Sequence, residues 1–95
     1  MNVSACSRFG VNLVSDYETS GRPGRLLCYV AVAAPDRATA VEIALVAARA
    51  ATSGTEGRLL SEPRVTRAGF VPKLGSAQLF PVPGLLELRM SRRGA

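Results

Sequence analysis

Asp16 and Glu18 are the only two carboxylates of this chain that stand close together in sequence. On a strand, a spacing of two sets both side chains on one face. Two carboxylates on one face can divide acid and base work between them where a cleft pushes their pKa values apart. The same spacing describes the solvated outer edge of a hairpin, the ordinary place for charge. The chain has no histidine, so the commonest general base near neutral pH is missing and any serine, threonine or cysteine nucleophile needs another activator. Gly54–Thr55–Glu56–Gly57 follows a helical segment instead of opening one, and so lacks the helix N-terminus that binds an anion. Carboxylate-based catalysis therefore stands as an alternative, and a non-enzymatic binding module is the leading expectation.

Binding chemistry is better represented. Tyr17, Tyr29, Arg64 and Arg67 all fall on strand-like segments, and they suit an apolar pocket with a few polar groups, of the kind that forms between subunits. A protein partner or a small ligand is the expected occupant. Basic residues outnumber acidic ones 12 to 7, and eleven of the twelve are arginine. Such an excess favours anionic partners, although a compositional bias rich in alanine and poor in lysine accounts for it equally well. The alternative is a nucleic-acid surface. Gly21–Arg22–Pro23 matches the core of a minor-groove hook, and Arg22 and Arg25 at a hairpin tip, with Arg92 and Arg93 near the C-terminus, are placed to touch phosphates. Only five aromatics are present, and Phe9, Tyr29, Phe70 and Phe80 read as core, which leaves little for base stacking.

No cofactor or metal is expected. Two cysteines without histidine do not make a structural zinc site. If 9–18 pairs with 25–34 around a turn at 19–24, opposed residue numbers sum to about 43, which sets Cys28 beside Ser15 and leaves Cys6 roughly 30 Å away. A disulfide needs Cα atoms within about 7 Å, so both thiols are expected to be free. Val3–Ser4–Ala5–Cys6 resembles the end of a lipoprotein cleavage box but lacks the apolar run that precedes one. The longest apolar region, Leu26 to Ala51, is broken by Pro35, Asp36, Arg37, Glu42 and Arg49, too often for a membrane span of about 20 apolar residues. A soluble cytoplasmic protein is the default expectation.

The elements that must position these groups follow from periodicity. Residues 1–7 read as a loose leader. Phe9, Val11, Leu13 and Tyr17 alternate with Asn12, Asp16 and Glu18, the pattern of a half-buried strand. Leu26–Ala34 is apolar in both parities, as a central strand covered on both faces would be. Asp36 is an N-cap for a helix over 37–52, which Ser53–Gly54 closes. Its apolar side is lined by Ala40, Ala44, Ala47, Ala48 and Ala51, read as tight packing on the chain's own sheet. Strand material at 57–62 and 64–68 is interrupted by Pro63, giving an edge strand, two short strands or a bulge. A proline-rich connection spans 69–84, with room for a short strand at 77–80. A last strand runs over 85–90, with Leu86, Leu88 and Met90 opposed to Glu87 and Arg89, and 91–95 form a basic tail.

These readings predict a single α+β domain: a small antiparallel sheet of four to five strands with one main helix on one face, ordered β-β-α-β-(β)-β. A ferredoxin-like sandwich is the alternative, although prolines at 72, 81 and 83 oppose its second helix. One helix covers one face. Leu27, Tyr29, Ala31 and Ala33 then line the other, and either the proline-rich segment or a second copy of the chain must cover it, which predicts a homo-oligomer, most simply a dimer.

Overall fold

The computed structural model describes residues 7–53, 57–71 and 84–94. Five antiparallel strands form one sheet with one helix against it, an α+β fold in which β1 (Ser7–Thr19), β2 (Arg22–Ala34), α1 (Arg37–Ser53), β3 (Arg58–Leu59), β4 (Arg64–Phe70) and β5 (Gly84–Gly94) follow in chain order. β1 and β2 are central. β3 and β4 both pair with the outer side of β1, one after the other along its length, and β5 pairs with β2 at the opposite edge.

The hairpin is tighter than the sequence predicts. Ser20 and Gly21 alone make the turn, with φ of 53° and 77°, and two consecutive positive φ values give the turn whose twist matches that of paired strands. β2 therefore starts at Arg22 and runs through Pro23. Opposed residues sum to 41 instead of 43, so Cys28 faces Leu13, not Ser15. A slip of two preserves which face each side chain occupies, whereas a slip of one would have reversed it. The division of β2 into two faces therefore holds.

Val11 and Leu13 of β1 and Cys28, Val30 and Val32 of β2 meet Ala40, Ala44 and Ala48 of α1 in the core. The alanines recur every fourth residue, one stripe down the helix, and their short side chains let its backbone approach the sheet closely. The closeness belongs to this chain's own packing. Asp36 caps the helix: its Oδ1 accepts the Thr39 amide at 2.8 Å, and its carbonyl accepts the first helical bond from Ala40. That hydrogen bond to the Thr39 amide holds the Asp36 carboxyl below its ordinary pKa. In the last turn the Thr52 and Ser53 hydroxyls donate back to the Ala48 and Ala50 carbonyls, and of these the Ala50 carbonyl is one that a helix end leaves open. Gly54, the expected closing residue, lies outside the described residues.

A helix about 10 Å across spans about two strands spaced 4.8 Å apart, and this sheet is four strands wide along most of its length. Its flanks on the helix side therefore stay open. Phe70 of β4 is 62% exposed even though it meets Phe9 edge-on at 6.3 Å, and Val65, Leu85 and Met90 are exposed as well.

Several boundaries differ from expectation. β1 begins at Ser7. The segment after the helix resolves into two short strands, β3 and β4, and the basic tail is not a tail, because the ladder with β2 holds β5 in strand as far as Gly94. The expected leader up to residue 6, including Cys6, and the expected strand at 77–80 lie outside the described residues. Cys28 is a free, buried thiol whose pKa is raised by burial.

Candidate functional site

The sheet face turned away from α1 carries the groups with binding chemistry. Opposed residues of an antiparallel pair share a face, so register alone defines its rows. Asn12 faces Arg67 on one side and Tyr29 on the other, and Tyr29 faces Arg89. Arg67, Asn12, Tyr29 and Arg89 thus form one row across four strands. The next row holds Arg64, Val14, Leu27 and Ser91.

Arg64 and Arg67 are an odd number of residues apart and would point to opposite faces of a regular strand. A β-bulge brings them to one side. Arg67 faces Asn12 while Val65 faces Leu13, so Thr66 is the extra residue, and its hydroxyl donates to the Asn12 carbonyl at 3.0 Å. Two residues against one reverses the parity beyond the bulge.

Tyr29 is half-buried, with the Arg89 guanidinium 5.0 Å from its ring centroid, a cation–π contact that steadies both groups. The ring lies over Gly10: a Cβ there would come within 2.9 Å of the Tyr29 hydroxyl and 2.9 Å of a Val71 methyl. Gly10 is the gap that Tyr29 fills. Arg89 also pairs with Glu87 at 3.2 Å. Beside this row opens a groove of about 470 Å³ lined by Asn12, Leu27, Tyr29, Thr66, Arg67 and Ser91, with Leu13 and Cys28 completing it.

Toward the other end of the strands this face is already closed. Ala31 and Ala33 are fully buried, so the apolar surface left open is smaller than the sequence predicts and centres on Leu27 and Tyr29.

Of the expected ligand-binding residues, Tyr29 and Arg67 line the groove, and Arg64 shares their face one row away without lining it. Tyr17 does not join them: it is 3% exposed on the helix side, where Gly57, at a φ of 98°, approaches so closely that a Cβ would lie 2.7 Å from the Tyr17 hydroxyl. Arg22 and Arg25 are exposed, and register sets Arg25 opposite Arg93 and Leu26 opposite Arg92, so all four arginines of the nucleic-acid alternative gather at one end of the sheet. Asp16 is exposed. Glu18 receives the Arg58 guanidinium at 3.4 Å, and neither carboxylate lines the groove. The Asp16 amide donates to the Ser61 hydroxyl at 2.9 Å, and the buried Ser15 hydroxyl donates to the Ser61 carbonyl, which ties the β3–β4 connection to β1.

Asn12 and Arg89 are the site residues that sequence reasoning missed. A register sum of 43 sets Val14 opposite Tyr29, and the true sum of 41 replaces it with Asn12. Arg89 showed its face by alternation, but only the pairing of β5 with β2 puts it beside Tyr29. Among the described residues no group of three or more histidines, cysteines or carboxylates is arranged to hold a metal ion, and no helix is long and apolar enough to cross a membrane. No family model, no curated protein and no solved structure matches this chain.

Proposed function

We propose that this chain is a non-enzymatic binding module that takes a small anionic ligand with a planar ring in the groove opposite α1, and that it works as a homo-oligomer, most simply a dimer. The cross-strand row of Arg67, Asn12, Tyr29 and Arg89 carries the reading. Arginine presents planar, paired donors that match carboxylate and phosphate oxygens. The amide of Asn12 both donates and accepts, which orients a polar ring edge. Tyr29 with Arg89 stacked on it offers a flat surface, Leu27 supplies the apolar wall, and a groove of about 470 Å³ lies within the range of small-molecule sites. Donors, an acceptor, a flat ring and an apolar wall on one face suit the row to holding a ligand.

Calorimetry with a nucleoside monophosphate as probe and inorganic phosphate as control tests the reading. The expected result is saturable binding of the nucleotide, weaker binding of phosphate, and a loss of roughly tenfold or more in affinity for Arg67→Ala and for Arg89→Ala, the scale of a charge-assisted hydrogen bond. Both variants binding as the parent does would overturn it.

A second reading has its own observation. Register sets Arg25 between Asp16 and Arg93 two rows from Tyr29, about 14 Å along the strands, so charged positions extend along this face on the scale of a short single strand of nucleic acid. Under that reading affinity for an oligothymidylate rises with its length and falls steeply with salt, and Arg25→Ala lowers the salt slope by about one. Under the small-ligand reading, length beyond one nucleotide adds nothing.

A further inference from the structure

We infer that two copies of this chain join edge to edge through β5, in antiparallel register with Leu88 opposite Leu88 of the second copy. The inference rests on the reading of the chain as an oligomer and moves its surface from the sheet face at Leu27 and Tyr29, where the sequence sets a second copy, to the β5 edge, because Ala31 and Ala33 are already buried. β4 and β5 are the long edge strands, and among the described residues neither has a partner on its outer side. An unpaired edge invites another strand, and bulges and charged side chains are the usual protection, strongest where the charges are all of one sign and repel when opposed. β4 has both: Thr66 breaks its ladder midway, and its only charged residues are Arg64 and Arg67. β5 is regular from Glu87 to Gly94, its bulge confined to Leu86 near the start, and it carries both signs of charge.

A two-fold antiparallel pair keeps each side chain on its own face, so opposed residue numbers must sum to an even value. Centring on Glu87 or on Arg89 sets like charges against each other. Centring on Leu88 sets Glu87 opposite Arg89 of the second copy and Arg89 opposite its Glu87, two favourable cross-strand pairs on the face that carries Tyr29. The other face agrees independently. Because Leu86 is the extra residue of the bulge, two residues there oppose one, and Leu85 comes beside Met90 of the second copy on the helix side. Leu85 and Met90 are large apolar side chains left exposed on β5, at 45% and 37%. One register therefore satisfies the charges on one face and covers the apolar residues on the other. It also carries the Arg89 end of the ligand row directly to the two-fold axis.

Sedimentation of the full chain with Glu87→Arg, with Arg89→Glu and with their equimolar mixture tests this. The parent is expected to sediment at high micromolar concentration as twice its 10.0 kDa mass. Each reversal alone sets like charges opposed in this register and should weaken association at least tenfold. In the mixture the first variant presents two arginines at these positions and the second presents two glutamates, so every opposed pair is of unlike charge and the dimer should be recovered. Hydrogen exchange of the parent needs no substitution: β5 amides should gain protection with rising concentration while β4 amides do not. A dimer indifferent to both reversals, or protection gained elsewhere, overturns the β5 pairing and leaves the oligomer reading standing. A parent that stays monomeric overturns both.

Discussion

Asp36 shows how much one exposed side chain settles. Its carboxylate bonds the Thr39 amide and its carbonyl starts the helix, so Asp36→Ala should lower the melting temperature by several degrees at neutral pH. The carboxyl pKa is lowered by that bond from its ordinary value of 3.8. A depressed pKa contributes stability above the unfolded value, and the contribution disappears as pH falls through the folded one. The gap between parent and variant should therefore narrow below about pH 4, and thermal denaturation at pH 7 and pH 3 checks it. A constant gap would assign the loss to something other than the charged cap. Gly10 makes the opposite case, a residue that matters for what it lacks. Gly10→Ala brings a methyl against the Tyr29 ring and Val71, so stability should fall by about 1 kcal/mol, the low end for overpacking, and the probe nucleotide should bind more weakly because the ring is displaced. Unchanged binding would separate Tyr29 from the ligand.

At the level of elements, the parts that depend on local pattern were legible and the parts that depend on distant pairing were not. The N-cap, the helix and the two faces of β2 follow from periodicity and one carboxylate. The hairpin register expected from sequence is off by two because Gly24 and Pro23 look like turn residues, whereas the Ser20–Gly21 pair alone reverses the chain and Pro23 is tolerated near the strand's start. The Thr66 bulge carries no local signature, since the sequence shows only that something interrupts the strand material near Pro63. It decides the site nonetheless, because it brings Arg64 to the side of Arg67. Removing Thr66 leaves Arg67, Val65 and Arg64 against Asn12, Leu13 and Val14, as they now stand. Deletion of Thr66 is therefore expected to fold and to keep probe affinity within a few-fold. Loss of the fold, by circular dichroism, would mean that the bulge has a structural role beyond parity.

For the whole molecule, asymmetry is the organising fact. α1 is narrower than the sheet, so the helix side has a sealed centre and apolar flanks, while the other side has a closed end at Ala31 and Ala33 and an open arginine-bordered row at Tyr29. On the proposed reading the arginine excess bears on function through its arrangement and not its count: Arg64, Arg67 and Arg89 share the face that α1 leaves bare. Sequence composition could not show this, since it depends on two bulges and a crossover between sheet edges. The central claim is that this face is the binding surface. Amide chemical shifts recorded while the nucleoside monophosphate is titrated in test it most directly. The account predicts perturbations concentrated at Asn12, Leu27, Tyr29, Arg67, Arg89 and Ser91, with Glu42, Val46 and Arg49 on the outer side of α1 unmoved; shifts clustered on the helix, with the Tyr29 row silent, would contradict it.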